Sequence, residues 1–457
     1  MNRIEQLKKS RVLIAGLGKS GLATARVLRG KVKELFITDT RGAERMRNEV
    51  SEASSAGAVF LPVEKVLEHG GFDLVVMSPG LSMNEPFVME LHKRGAEVVA
   101  EIEVAWWLLN GEMVAVTGTN GKTTTISLIG SIASEYFADV RVTGNIGVPL
   151  IESAEGSTER TVFVTEVSSY QLEGIVDFKP RVAVVLNISE DHLERHKGIE
   201  PYAAAKARIM ENQDENDFVV LNFDDPFVRR LARVACAKTL FFSRFHRLRE
   251  GAFLAGDNLI MRVGGEEAEI GLAGDMPLAG GHNLENVMAS VLACRVLGIP
   301  WEMIRHGVMS FHGLEHRIEK VGQIQGITFV NDSKATNVSA CIAAIRAFLP
   351  GKVILVLGGD DKGLDYRALS EEILRRVKHV IFLGDGLARV MKEFTNAGIS
   401  TIGAVNSMEQ VVDESLRVAE AGDVVLLSPS SSSFDRYKNF EERGLDFKNE
   451  VQRRMVW

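Results

Sequence analysis

Short apolar runs recur along the chain. Each ends in a polar or glycine-rich turn and is followed by a longer stretch with helical spacing. The runs at 12–15, 35–38, 74–77, 114–117, 162–165, 182–186, 329–330, 353–357, 380–383 and 424–427 show little apolar–polar alternation. Strands of this kind are buried on both faces, as in parallel sheets covered by helices. Between them the pattern predicts helices from the first glycine turn to about Gly30, across 100–110, across 201–212 and across 283–297, the last stopped by Gly298 and Pro300. Residues 239–270 read as less regular, with glycine turns and short alternating strands. The alternation of strand and helix predicts an α/β fold of three domains. The expected domains run over 1–100, over 101–313 with a mostly parallel sheet, and over 314–457.

Composition narrows the class. The chain has 457 residues, enough for about three domains. Its net charge of −8 comes with both signs dispersed, so no basic stripe suggests a nucleic-acid partner. No apolar run approaches a membrane span, and the charged start leads into only four apolar residues, too few for a secretory core. Cys236, Cys294 and Cys341 form no C-x-x-C pair and are expected to be inert core thiols in a reducing compartment. The expectation is a cytoplasmic, monomeric enzyme acting on small molecules.

The most informative turn is V-A-V-T-G-T-N-G-K-T-T-T at 114–125. A strand runs into Gly118, Thr119, Asn120, Gly121, Lys122, Thr123 and Thr124, and a helix follows. Backbone N–H groups of such a loop ring a polyphosphate, the lysine meets the outer phosphates and the threonine hydroxyl suits Mg²⁺. The loop is shorter than the usual G-x-x-x-x-G-K, which points away from generic NTPases and toward enzymes that use ATP to join a carboxylate to an amine. An ordinary strand–turn–helix corner would need neither the lysine nor the paired threonines.

Other strand ends carry chemistry as well. Gly16-x-Gly18-x-x-Gly21 sits between a strand and a helix, and Asp39 follows at the end of the next strand. This is a dinucleotide layout, but the same physics would hold a UDP-linked substrate, with Asp39, Thr40 and Arg41 on base and phosphate and Ser78 closing over the pyrophosphate. Glu166 ends one strand, where it would complete a Mg²⁺ site with Thr123. Asp191 and His192 follow the next strand and are candidates for a second metal or for the reacting groups. Asn145 lies in a tight glycine turn, and Lys206 sits on a helix among alanines. In the last third, polar clusters at 331–337, 358–363 and 428–435 follow three strands, and ligands of open α/β sheets gather at such an edge.

Taken together, G-T-N-G-K-T-T, E-V-S-S-Y-Q-L-E, S-E-D-H-L, A-A-K-A-R-I, G-x-x-H-R, N-D-S-K-A-T-N and the serine-rich tail through F-D-R-Y-K-N-F-E-E-R-G resemble the ATP-dependent Mur ligases of peptidoglycan synthesis, over nearly the whole chain. Within that family the motifs resemble the D-glutamate-adding branch, since the D-N-P-R motif of the diaminopimelate- or lysine-adding branches is absent. The resemblance implies ATP, two Mg²⁺ ions and an acyl phosphate made on the carboxylate of UDP-MurNAc-L-Ala, which the amine of D-glutamate then attacks. It implies a Rossmann-like domain at 1–100 that binds the UDP substrate, a central P-loop ATPase-like domain at 101–313 that binds ATP, and a second Rossmann-like domain at 314–457 that binds the amino acid. Lys122 would hold the outer phosphates, Thr123 and Glu166 the first Mg²⁺, and His192 the second. Lys206 matches a carbamylated lysine. Arg317, Asp332 and Lys334 match contacts to ATP and the acyl phosphate, and Thr336, Lys362, Ser433 and Phe440 match a D-glutamate pocket. Lys19, Ser20, Asp39, Thr40, Arg41, Ser78 and Asn145 match UDP-substrate contacts. The run of four serines departs from the family's more mixed segment. Competing readings are another Mur-type or folylpolyglutamate-type ligase, an NAD-dependent oxidoreductase built on the first glycine turn, and a non-catalytic nucleotide-binding regulator.

Overall fold

The computed structural model describes residues 2–189, 193–278, 280–361, 363 and 365–455, apart from the side chains of Leu193, Glu194 and Ser339. The chain divides into two compact units. One runs through Met276 and takes in His282–Phe311; the other joins Pro277–Gly281 to the residues from His312 onward.

The first unit holds two sheets. In the first, β1 (Arg11–Ala15), β2 (Glu34–Thr38), β3 (Val59–Phe60), β4 (Leu74–Met77) and β5 (Glu97–Ala100) lie in the order β3-β2-β1-β4-β5, all parallel. The unbroken apolar runs are explained by burial on both faces. Val12 and Ile14 point into one core while Leu13 and Ala15 point into another. The second sheet contains β6 (Glu112–Thr117), β7 (Asp139–Gly144), β8 (Thr161–Glu166), β9 (Val182–Val185), β10 (Phe218–Asn222), β11 (Lys238–Ser243), β12 (Gly251–Ala255), β13 (Asn258–Val263) and β14 (Glu266–Leu272), in the order β14-β13-β12-β11-β10-β9-β6-β8-β7. It is parallel from β7 through to β12, and β12-β13-β14 is an antiparallel meander, which accounts for the irregular pattern at 239–270.

One apolar core runs without a break between these two sheets. It joins Ile14 and Val76 of the first to Ala115, Phe163 and Val185 of the second, by way of Ile102, Val104 and Ala105 on the helix Glu101–Leu108. Two buried carboxylates anchor that helix. Glu103 accepts the amides of Val176, Asp177 and Phe178 at 2.8, 2.8 and 3.0 Å, and Glu101 accepts that of Ile151 at 2.8 Å.

The second unit carries β15 (Glu319–Ile324), β16 (Ile327–Asn331), β17 (Val353–Gly358), β18 (Val377–Leu383), β19 (Thr401–Val405) and β20 (Val424–Ser430), in the order β15-β16-β20-β17-β18-β19. All are parallel except the β15–β16 hairpin. Here too the strands face two cores, with Leu355 in one and Ile354 and Val356 in the other. The α/β expectation with largely parallel sheets therefore holds. Several strands were not expected from the pattern: β3, β5, β7, β10, β15 and β19. The first is two residues long, β5, β7, β15 and β19 carry charged residues or glycine within their runs, and β10, F-V-V-L-N, is a short apolar run that the pattern itself offered. The helix expected at 201–212 is Ile199–Ala207, followed by a tight 3₁₀ turn at Arg208–Met210. The cysteine expectation fails at one position: Cys294 and Cys341 are buried, and Cys236 is exposed. Among the described residues no helix is long and apolar enough to cross a membrane.

Candidate functional site

β6 delivers the phosphate loop. Gly118 (φ 151°) and Gly121 (φ 86°) take backbone conformations that other residues rarely adopt, and the helix Lys122–Ser134 starts at once. The loop is fastened from the next strand end. The Thr119 amide donates to the Asn187 carbonyl at 2.9 Å, the Asn120 amide donates to Asn187 Oδ1 at 2.8 Å, and Asn187 Nδ2 returns a bond to the Asn120 carbonyl at 3.1 Å. The Lys122 ammonium folds back over the loop to the Gly118 and Thr119 carbonyls, both at 2.8 Å.

Lys206 is the residue that changes most between sequence and fold. A helix lysine would ordinarily be solvated, but this side chain is 1% exposed. It donates to the Gly118 carbonyl at 2.8 Å and lies 4.5 Å from the centre of the Tyr202 ring. Alanines at 203–205 and 207 leave the space for it. Two lysines thus meet one carbonyl of the phosphate loop.

The acid side of the site is Glu166, at the end of β8 and 1% exposed. Thr123 Oγ1 donates to its Oε2 at 2.9 Å, and Asn145 Nδ2 donates to its Oε1 at 3.1 Å. A buried carboxylate beside a hydroxyl at the mouth of a phosphate loop suits Mg²⁺. That ion takes one or two protein carboxylates and completes its shell with phosphate oxygens and water. His192 lies outside the described residues.

In the first sheet the strand order reverses between β1 and β4, where open α/β sheets bind ligands. Gly16 (φ 110°) and Ser78 meet there, and a Cβ at Gly16 would strike the Ser78 side chain. Asp39 is buried and points back at the loop. Its Oδ2 accepts the Leu17 amide at 2.8 Å, and Arg41 closes on both of its oxygens at 2.8 Å. Burial works against the charge of Asp39, but the Arg41 guanidinium and the amides of Leu17 and Arg41 outweigh it and hold the carboxyl below its usual range. Asp39 thus braces the loop from beneath; Thr40 and Arg41 are exposed. Lys19 is also exposed and donates to the Gly147 carbonyl at 2.5 Å, so the glycine turn of the first sheet touches the 144–147 turn that carries Asn145. Ser20, half-buried, lies in the first turn of the helix Lys19–Leu28.

In the second unit, Asp332 sits at the end of β16, 5% exposed, where burial pushes its carboxyl up to about 7 against the pull of Ser428 (2.7 Å), the Ile318 amide and Arg317. The Lys334 ammonium lies 5.6 Å from the Phe440 ring, and Thr336 follows in the same turn. Ser433 is buried in the turn after β20. Lys362 lies outside the described residues.

Sequence reasoning singled out neither Arg443 nor His316 as individual residues. Arg443 is 1% exposed and gathers three strand ends. It donates to Ser333 Oγ and the Ser333 carbonyl at 2.9 Å, to the Ser431 carbonyl at 3.2 and 3.3 Å, and to the Gly358 carbonyl at 3.4 Å. Burial holds its guanidinium down at about 10. His316, also buried, is bonded to Asn331 Nδ2 at 2.9 Å and occupies the space that a side chain at Gly444 would need. Their only signal was membership of G-x-x-H-R and E-E-R-G. The serine run has a packing reason: Ser431 and Ser432 pass close beneath Gly359 and Asp360, where the Asp360 amide donates to the Ser432 carbonyl at 3.2 Å.

A glycine loop with a lysine, a threonine and a buried acid at the carboxyl edge of a parallel sheet is a P-loop type of nucleotide site, here paired with a second glycine-turn crevice. The chain matches the family descriptions "Mur ligase MurD-like, N-terminal domain" over residues 10–100, "Mur ligase middle domain" over 116–294 and "Mur ligase, glutamate ligase domain" over 316–431. It is 41% identical over 449 residues to the UDP-N-acetylmuramoylalanine--D-glutamate ligase of Acidobacterium capsulatum, covering 98% of this chain and 97% of that one. It is 39% identical over 451 residues to the enzyme of the same name from Clostridioides difficile, covering 97% and 99%. Among solved structures, MurF ligase from Thermotoga maritima in complex with ADP shares the fold at a TM-score of 0.58 and 20% identity, covering 99% of this chain and 100% of that one. The chain belongs to the Mur ligase family.

Proposed function

We infer that this chain joins D-glutamate to UDP-N-acetylmuramoyl-L-alanine at the expense of ATP, in the assembly of peptidoglycan precursors. The observation that carries this reading is the identity of about two residues in five, over nearly the full length of both chains, to ligases bearing that name. The residue geometry supports it. A carboxylate oxygen of the UDP substrate attacks the γ-phosphorus of ATP and ADP leaves. The D-glutamate amine then adds to the acyl-phosphate carbon, the tetrahedral adduct expels phosphate, and the nitrogen loses its proton. Anions must be drawn together in the first step, and cations must neutralise them.

Lys122 is assigned to the outer phosphates, with Gly118, Thr119, Asn120, Gly121 and Thr124 forming the cradle. Thr123 and Glu166 would hold Mg²⁺, which supplies charge neutralisation at the phosphates. His192 is assigned to a second ion. Lys206, once carbamylated, would present an anion instead of an ammonium beside the loop. Its burial among small residues, within reach of a loop carbonyl, suits that role. Asp39, Thr40, Arg41, Lys19, Ser20, Ser78 and Asn145 are assigned to the UDP substrate. Arg317, Asp332 and Lys334 serve ATP and the acyl phosphate, and Thr336, Lys362, Ser433 and Phe440 serve D-glutamate. On this reading residues 1–100, 101–313 and 314–457 form the UDP-substrate, ATP and amino-acid domains of a cytoplasmic monomer.

The test is phosphate release from ATP with Mg²⁺ and UDP-MurNAc-L-Ala, comparing D-glutamate with L-glutamate, L-lysine and meso-diaminopimelate. Release with D-glutamate alone is expected. Release with another amino acid would keep the ligase chemistry and overturn the pocket assignment, and release with none would overturn the reading.

A further inference from the structure

The helix Glu101–Leu108 begins where β5 ends, at the seam between the two sheets of the first unit. Its first residue, Glu101, is 1% exposed. Oε1 accepts the Ile151 amide at 2.8 Å, and Oε2 is buried without a hydrogen-bond partner. An ionisable group is seldom kept in such a place for stability alone, because burying it costs more than one amide bond returns. Burial lifts its carboxyl to about 7 even with that amide in place.

The contact made by Glu101 leads directly to the site. Ile151 lies in the first turn of the helix Leu150–Ala154, immediately after the turn 144–148. That turn is closed on itself, since the Gly144 amide and the Thr143 hydroxyl donate to the Val148 carbonyl at 2.9 and 2.8 Å. A closed turn moves as a piece with the helix that follows it. It presents two groups in different directions: Asn145 Nδ2 to Glu166 at 3.1 Å, and the Gly147 carbonyl to Lys19 of the first glycine turn at 2.5 Å. The Asn145 amide also donates to the Glu166 carbonyl at 2.9 Å.

We propose that Glu101 is a positioning residue for the ligase reaction, pinning the 144–148 turn so that Asn145 and Lys19 meet the UDP substrate in register with Glu166. This rests on the ligase reading given above. Glu101 touches no reacting atom and acts through Ile151.

The test compares Glu101→Leu, which has no acceptor for Ile151, with Glu101→Gln, which keeps one. Glu101→Leu is expected to raise the KM for UDP-MurNAc-L-Ala by roughly tenfold, the scale of one lost buried hydrogen bond, and to raise the Mg²⁺ requirement. The KM for D-glutamate should stay within about twofold, and Glu101→Gln should behave nearly as wild type. A fall in kcat with every KM unchanged, or equal damage from both variants, would overturn the proposal. Should the leucine variant not fold, hydrogen exchange in the wild-type protein decides. UDP-MurNAc-L-Ala should slow exchange of the Ile151 amide and D-glutamate alone should not; no difference would overturn it. Lack of turnover by the wild type with D-glutamate would count against the ligase reading, and the exchange result would still judge Glu101.

Discussion

The two glycine turns of the first unit look alike in sequence and are built for different work. Each follows an apolar strand and opens a helix, and each uses glycine at positive φ, Gly16 in the first and Gly118 and Gly121 in the second. Around Gly118–Gly121 the structure gathers two lysines, a threonine and a buried acid, all aimed at the loop or its mouth. Around Gly16–Gly21 the buried acid is neutralised by its own arginine and spent on a loop amide, and the lysine is exposed. A glycine turn grants a ligand close approach to backbone amides in either case. What surrounds the turn decides whether charge can be moved there or only held.

If that contrast is right, damage to the second turn should fall on the chemical step and damage to the first on substrate affinity. The largest effect is expected for Lys206→Ala, a loss of roughly 10³-fold in kcat, partly restored by a short added carboxylate, measured as phosphate release. Near-normal kcat would place Lys206 outside the reaction. Asp39→Asn weakens the charge that holds Arg41 and the loop amide. It should raise the KM for the UDP substrate about ten- to thirtyfold with the KM for ATP little changed. Equal changes in both constants would erase the distinction between the turns.

The second unit offers a comparison within itself. Asp332 is raised from 3.8 to about 7 by burial, whereas Asp361, paired with Arg389 at 2.7 Å, is lowered by that arginine. A carboxyl whose folded value lies above its unfolded value holds a proton that the unfolded chain has released. Its contribution therefore favours folding at low pH, falls as pH climbs from about 4 to about 7, and is flat above. Asp332→Asn should remove a slope on the order of 2–4 kcal/mol over that window from the ligand-free protein, followed by thermal unfolding at stepped pH. A variant with the wild-type slope would show that Asp332 is charged throughout. The smallest effect is expected for Lys19→Ala. Losing one exposed cation from the UDP-substrate contacts should raise the KM for the UDP substrate by about two- to threefold, and an unchanged KM would remove Lys19 from those contacts.

Periodicity and glycine placement were enough to read the sheet class, both glycine turns and the polar strand ends, because each is written within about ten consecutive residues. A strand such as β7, D-V-R-V-T-G, escaped that reading because pairing with its buried neighbour β8, rather than its own apolarity, makes it a strand. The roles of Glu166 and Thr123 as neighbours could be anticipated, since β6 and β8 are adjacent parallel strands ending at one edge. Those of Arg443, His316 and Glu101 could not.

The sequence by itself determined that this is a three-sheet α/β protein with a phosphate loop, since local propensity and burial periodicity act over short spans of chain. Its motifs also identified the Mur ligase family. Only the tertiary structure decided that Lys206 is buried against Gly118, that Asp39 faces inward, and that Arg443 ties together strand ends drawn from across a hundred residues of chain. Burial and pairing of a charge depend on residues far away in sequence, and the side chain itself is the same lysine, aspartate or arginine wherever the fold carries it.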